Sequence, residues 1–103
     1  MQIAVEKPED RRETERHIIS LEAKARRPNG GAFAAITITD ISVGGFQTLG
    51  LEPFSPGADV LIYLPGIAPR KATVVWQRNG RTGSQFDEPL HIAVVDHLAR
   101  QFR

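Results

Sequence analysis

Apolar and polar residues alternate with period two along most of the chain, which is the pattern of strands half-buried in a sheet. From His17 to Ala25, the residues Ile19, Leu21, Ala23 and Ala25 share one face, and Ser20, Glu22 and Lys24 share the other. Pro28-Asn29-Gly30-Gly31 then supplies turn chemistry, because Asn and Gly tolerate the positive φ of tight hairpins. Phe33 to Thr39 resumes the alternation, with Ile36 and Ile38 set against Thr37 and Thr39 and a β-branched content suited to a pleated surface. Phe46 to Leu49 predicts a further short strand, ended by Pro53 and Pro56-Gly57. Asp59 to Leu64 places Val60, Ile62 and Leu64 on one side. Lys71 to Arg78 places Ala72, Val74 and Trp76 inward, which assigns Trp76 to the core. Asn79-Gly80 is the strongest two-residue hairpin signal in the chain, and Gly83 to Phe86 is its return strand.

The period changes in the tail. Ile92, Val95, Leu98 or Ala99, and Phe102 recur every three to four residues, one apolar stripe on a helix that begins soon after Pro89. About six short antiparallel strands need closure or a cover, so the expected fold is mainly β: a small six-stranded antiparallel barrel with a C-terminal helix packed against it. The organisation predicted is a flexible arm over residues 1–10, an arginine-bearing loop over 11–16, the barrel over 17–88 and the helix over 90–102, forming one domain.

Composition narrows what such a barrel does. The 103 residues are 41% hydrophobic and 24% charged, an ordinary globular balance with room for one core. With no cysteine, disulfide scaffolds, thiolate zinc sites and thiol catalysis are excluded. The N-terminus has no apolar run of signal-peptide length and nothing approaches a membrane span, so a cytoplasmic setting without membrane insertion is expected. Thirteen Lys and Arg against twelve Asp and Glu give a net charge of +1, which argues against a coat for DNA or RNA. The distribution is less even. Residues 23–39 carry Lys24, Arg26 and Arg27 with no acid, and residues 60–86 carry Arg70, Lys71, Arg78 and Arg81 with no acid. Glu6, Glu9, Asp10, Glu13 and Glu15 pool near the start. That pattern fits a compact anion better than a long one.

Catalysis finds no support. His17, His91 and His97 have neither metal-ligand spacing nor a cysteine partner, and His91 and His97, six apart, lie on roughly opposite faces of a helix. Ser42 has no nucleophile elbow around it. No enzyme, metal or cofactor is therefore expected. Two features remain. Arg11-Arg12-Glu13-Thr14-Glu15-Arg16, taken alone, reads as a solvated arm with Glu and Arg partners. Asp40-Ile41-Ser42-Val43-Gly44-Gly45, taken alone, reads as a turn in which Asp and Ser cap backbone groups and the glycines take positive φ.

Taken together, with two strands between them, these segments resemble the PilZ domain, a family with Arg-x-x-x-Arg before the first strand and [Asp/Asn]-x-Ser-x-x-Gly further on. Arg12 and Arg16 match the first motif; Asp40, Ser42 and Gly45 match the second. The strand ending in Trp76, the hairpin, the Gly83-Ser84-Gln85-Phe86 stretch and the terminal helix agree with it too, so the likeness spans roughly Arg11 to Arg103.

The resemblance implies a six-stranded barrel and, as in many PilZ domains, binding of the bacterial second messenger cyclic di-GMP. Arg12 and Arg16 would then grip guanine edges and phosphates, since a planar guanidinium reads the O6/N7 pair bidentately and stacks on the base. Asp40 would accept from the N1 and N2 hydrogens of guanine, and Ser42 would add a hydroxyl bond. Gly44 and Gly45 join the implied ligand-binding set, with Gly45 admitting the base for want of a Cβ. Arg11 either replaces Arg12 as the first motif arginine or adds a phosphate contact. Glu13 and Glu15 weaken the attraction for a dianion. The arm, pinned by ligand, would change what a protein partner meets. Two other readings compete: a PilZ-like adaptor that binds only protein, and a single-stranded nucleic-acid binder, which needs surface aromatics as stacking platforms.

Overall fold

A computed structural model describes residues 15–50 and 54–103 of the chain. Arg11 and Arg12, with the predicted arm, lie outside the described residues.

The alternating segments form β1 (His17–Arg27), β2 (Gly30–Ile41), β3 (Gly45–Leu49), β4 (Asp59–Tyr63), β5 (Arg70–Arg78) and β6 (Arg81–Phe86), followed by a helix, α1 (Ile92–Phe102). The strands close into an antiparallel barrel in the order β1-β2-β3-β6-β5-β4, with β4 returning to β1. Closure leaves no strand edge unpaired, so the barrel presents no open edge for another strand to join. The first two strands run longer than the alternation predicts, because β2 begins at Gly30: Pro28 and Asn29 alone make the turn. There Gly30 and Gly31, not Asn29, take the positive φ. At the other hairpin Asn79 and Gly80 both have positive φ, 54° and 77°, the type I′ geometry whose twist matches the strands it joins.

Inward residues fill the barrel as the pattern predicts over most of its length. Ile19, Leu21, Ala25, Ile36, Ile38, Val60, Ile62, Ala72 and Val74 are all buried. The helix lays Val95, Leu98 and Ala99 against the barrel beside β1. It starts at His91, whose Nδ1 accepts from the Ala93 N–H at 3.0 Å and so satisfies one orphan donor of the first turn. No helix among the described residues is long and apolar enough to cross a membrane.

The register shifts at four places, two of them between β1 and β2, and the two on β2–β3 and β5–β6 bear on the outer wall. Between Ile38 and Asp40 the pairing of β2 with β3 slips, with an extra residue on β2. Ile38 and Ile41 both point inward, three residues apart, so Asp40, which strict alternation would send into the core beside Ile36 and Ile38, faces outward instead. Between Val74 and Trp76 the pairing of β5 with β6 slips in the same way. Trp76 is thereby turned to the outer surface, half-buried, which corrects its assignment to the core. Gln77 takes the inward phase, paired with the buried Thr82, and its side-chain amide donates to the Phe54 carbonyl. A bulge is a means of re-aiming a side chain, and here two of them aim at one place.

Candidate functional site

The two bulges set up one row of residues across four strands. Asp40 pairs with Gln47, Gln47 with Gly83, and Gly83 with Trp76. Directly opposed residues of antiparallel strands point to the same face, so these four share a patch on the outer wall of the barrel. Beside them, Gly45 pairs with Gln85 to form a second row.

Arg16, one residue before β1, completes the patch. Its Nη1 lies 3.6 Å from Asp40 Oδ2, joining two segments 24 positions apart in sequence. The Asp40 side chain is 17% exposed and that of Arg16 62% exposed. Solvent screens a pair this open, and it adds little to stability. What it does is positional: a carboxylate on a rigid strand fixes the near end of the segment that carries the arginines.

A cavity of about 290 Å³ opens here, bounded by Arg16, Asp40, Ser42, Gly44, Gly45 and Trp76 among others. Five of the seven residues singled out in the sequence are thus brought together; Arg11 and Arg12 lie outside the described residues. Gln47, Trp76, Gly83 and Gln85 join the lining without having been singled out. Alternation alone places Gln47 and Gln85 outward, which is the signal that marks them. Trp76 has no such signal, because the bulge reverses its direction.

The loop between β2 and β3 is built from its own backbone. The Ser42 N–H donates to the Gly45 carbonyl at 2.8 Å, and Ser42 Oγ donates to the same oxygen at 3.4 Å. With its hydrogen used locally, Ser42 offers the pocket lone pairs, and so acts as an acceptor. The Gly44 carbonyl accepts from Phe86 N–H and the Val43 carbonyl from Leu90 N–H, each at 2.9 Å, tying the loop to the approach of α1.

The glycines of this loop are present for a different reason from the one expected. Neither Gly44 nor Gly45 has positive φ. A Cβ on Gly45 would lie 2.4 Å from the Ser84 carbonyl oxygen, so glycine there lets β3 approach β6. A Cβ on Gly44 would meet nothing within 4 Å. Gly83 is the third close approach: a Cβ there would lie 2.2 Å from Trp76 Nε1. The indole therefore lies on bare backbone, with the Arg78 guanidinium over its ring at 5.2 Å.

Chemically the patch offers one carboxylate, one exposed and one stacked guanidinium, two primary amides, a hydroxyl and a flat aromatic surface. Such a set suits a planar, hydrogen-bonding ligand that carries negative charge. Among the described residues no group of three or more His, Asp or Glu is placed to hold a metal ion. The family model described as PilZ domain matches residues 10–103. No individual curated protein matches the chain.

Proposed function

The chain belongs to the PilZ domain family, and from that premise we propose that it is a receptor for cyclic di-GMP, acting without catalysis to change the surface a partner protein meets. The observation that supports this reading best is the Arg16–Asp40 contact at the mouth of the pocket, because it joins the arginine motif to the Asp-x-Ser-x-x-Gly motif on one surface.

The residue chemistry fits each part of the ligand. Asp40 accepts from the N1 and N2 hydrogens of one guanine, in the manner of the carboxylate–base pairs found in nucleic-acid recognition. Arg16 leaves or shares its contact with Asp40 to engage a phosphate or the O6/N7 edge, and Arg12 and Arg11 add positive charge from the same segment. Trp76 supplies a stacking surface, a type of contact that contributes about 1–3 kcal/mol per base. Arg78, held over that ring, brings a further cation beside a ligand that carries two phosphates. Gln47 and Gln85 complete the polar rim.

Titration calorimetry with cyclic di-GMP tests the reading. Binding in the micromolar range or tighter, abolished in Asp40→Ala and much weaker for GMP, is the expected result. A flat titration of well-folded protein at tens of micromolar would overturn it and leave the protein-only adaptor in its place.

A further inference from the structure

A second surface lies at the far end of β1. From Ile18, which pairs with Asp40, to Arg26 is eight residues, or roughly 26 Å of strand. Here Arg26 pairs with Leu61 and Leu61 with Lys71, while Lys24 pairs with Tyr63, so three cations and an aromatic ring share one outer face. Phe33, from β2, joins them with 49% of its surface exposed. Its ring meets Tyr63 edge to face at 5.1 Å. The Arg26 guanidinium is stacked over both rings, 4.8 Å from the Phe33 centroid and 5.6 Å from that of Tyr63, and Lys24 Nζ lies 5.8 Å from Phe33.

Three properties set this cluster apart from an ordinary solvated face. Arg26 is half-buried, and its Nε is enclosed without a hydrogen-bond partner. Among the described residues, no ion pair joins Lys24, Arg26, Arg27 or Lys71 to a carboxylate. Beside Lys24 a shallow groove of about 640 Å³ runs from Glu22 past Ala35, Thr37 and Leu49, and Leu49 is 43% exposed. A large apolar side chain left open next to unpaired cations is a combination that solubility alone does not favour. The rings already hold the Arg26 side chain in one orientation, so an anion docking on it costs less rotamer freedom.

We infer that this face is a docking surface for an acidic segment of a partner protein, one that places a carboxylate against Arg26 and Lys24 and an apolar side chain on Phe33 or in the groove. Charge selects the occupant. Glu22 stands two residues from Lys24 at one margin, and Asp59 stands two residues from Leu61 at another, both exposed on the same outer face. The cationic stretch between Lys24 and Arg27 therefore spans only about 10 Å of strand. One or two carboxylates fit that length, whereas a polynucleotide would run on into the flanking acids. The barrel is closed, so the partner finds no strand edge to extend and is recognised through side chains. The surface is independent of the nucleotide pocket and does not require that pocket to bind cyclic di-GMP.

The test is a 15N–1H correlation titration of the full chain with the peptide GELEFG, its lysine counterpart GKLKFG, and oligothymidylate. The acidic peptide is expected to shift the amides of residues 24–27, 33 and 61–63 at millimolar concentration. Lys24→Glu, at an exposed position, is expected to melt close to the parent and to weaken the acidic peptide about tenfold, and Phe33→Ala to do the same; the lysine peptide is expected to do nothing. Asp40→Ala should leave the shifts unchanged. Absence of shifts, shifts elsewhere, equal response to the lysine peptide, or tighter binding of oligothymidylate at these residues would each overturn the inference. So would a concentration dependence of the same amides in the free protein, which would make another copy of the chain the occupant.

Discussion

The indole of Trp76 occupies the space in which a side chain on Gly83 would stand, with Nε1 only 2.2 Å from the Cβ position of that glycine. The two residues are cross-strand neighbours on β5 and β6, so the glycine is the seat on which the tryptophan lies flat against the barrel. Gly83→Ala must lift the ring. The expected cost is about 1–3 kcal/mol, as for other forced contacts in a packed site. Trp76 is the only tryptophan, and its emission should move to longer wavelength as the ring enters solvent. Unchanged emission together with unchanged stability would mean that the indole is not fixed in this position.

Placing Trp76 on the outer wall changes what its removal does. Val74, 1% exposed, and Trp76, half-buried, are two residues apart on β5 yet face different environments. Truncating a buried aromatic in a core typically costs 3–5 kcal/mol. Trp76→Ala is expected to cost clearly less than that, and to weaken cyclic di-GMP by about tenfold or more through lost stacking. Chemical denaturation and calorimetry on the same variant separate the two effects. A loss of stability in the core range with unchanged affinity would return Trp76 to a purely structural part.

The contrast between these neighbours shows where the sequence is readable. Ile19, Leu21, Ile36, Ile38, Val60 and Ile62 declare their direction by alternation, because a strand has only two faces and burial selects one. The turns are equally plain, since Asn79-Gly80 is one of few pairs that adopt positive φ twice. The motif residues Asp40, Ser42 and Gly45 are recognisable by type and spacing. A bulge leaves no comparable mark. One extra residue at Thr39 and one at Val75 reverse the phase of the rest of their strands, and nothing in the composition of Ile38-Thr39-Asp40 or Val74-Val75-Trp76 announces it. The aromatic part of the site was hidden for that reason. The exposed Phe33 was hidden for another: its partners, Arg26 and Tyr63, lie on two other strands and meet it only when the barrel closes.

Adjacent glycines in the loop after β2 give a paired control. Gly45→Ala drives a Cβ toward the Ser84 carbonyl, a backbone group that cannot swing aside, so it is expected to lower the melting temperature by several degrees. Gly44→Ala meets open space at ordinary φ and should melt within about half a kcal/mol of the parent. Any loss of cyclic di-GMP binding in Gly44→Ala then reports ligand approach, whereas the same loss in Gly45→Ala reports the strand spacing. A Gly44→Ala protein that unfolds would contradict the open geometry of this loop.

Arg16 and Asp40 should separate binding from folding most sharply. Their contact is screened, so Arg16→Ala is expected to change unfolding free energy by less than about 1 kcal/mol. A hydrogen bond to a charged ligand group contributes more, about 1.5–3 kcal/mol, which predicts an affinity loss of roughly 10- to 150-fold in the same variant. Arg16→Lys keeps the charge but not the planar fork; it should recover only part of the affinity if the guanidinium reads a guanine edge, and most of it if it meets phosphate alone. Melting curves give a direct readout. Ligand at a hundredfold excess over its dissociation constant stabilises the parent by about 2.7 kcal/mol, a rise on the order of 10 °C or more for a domain of this size. Arg16→Ala at the same ligand concentration should lose most of that rise while melting, without ligand, close to the parent. Equal ligand-induced rises in parent and variant would remove Arg16 from the binding site.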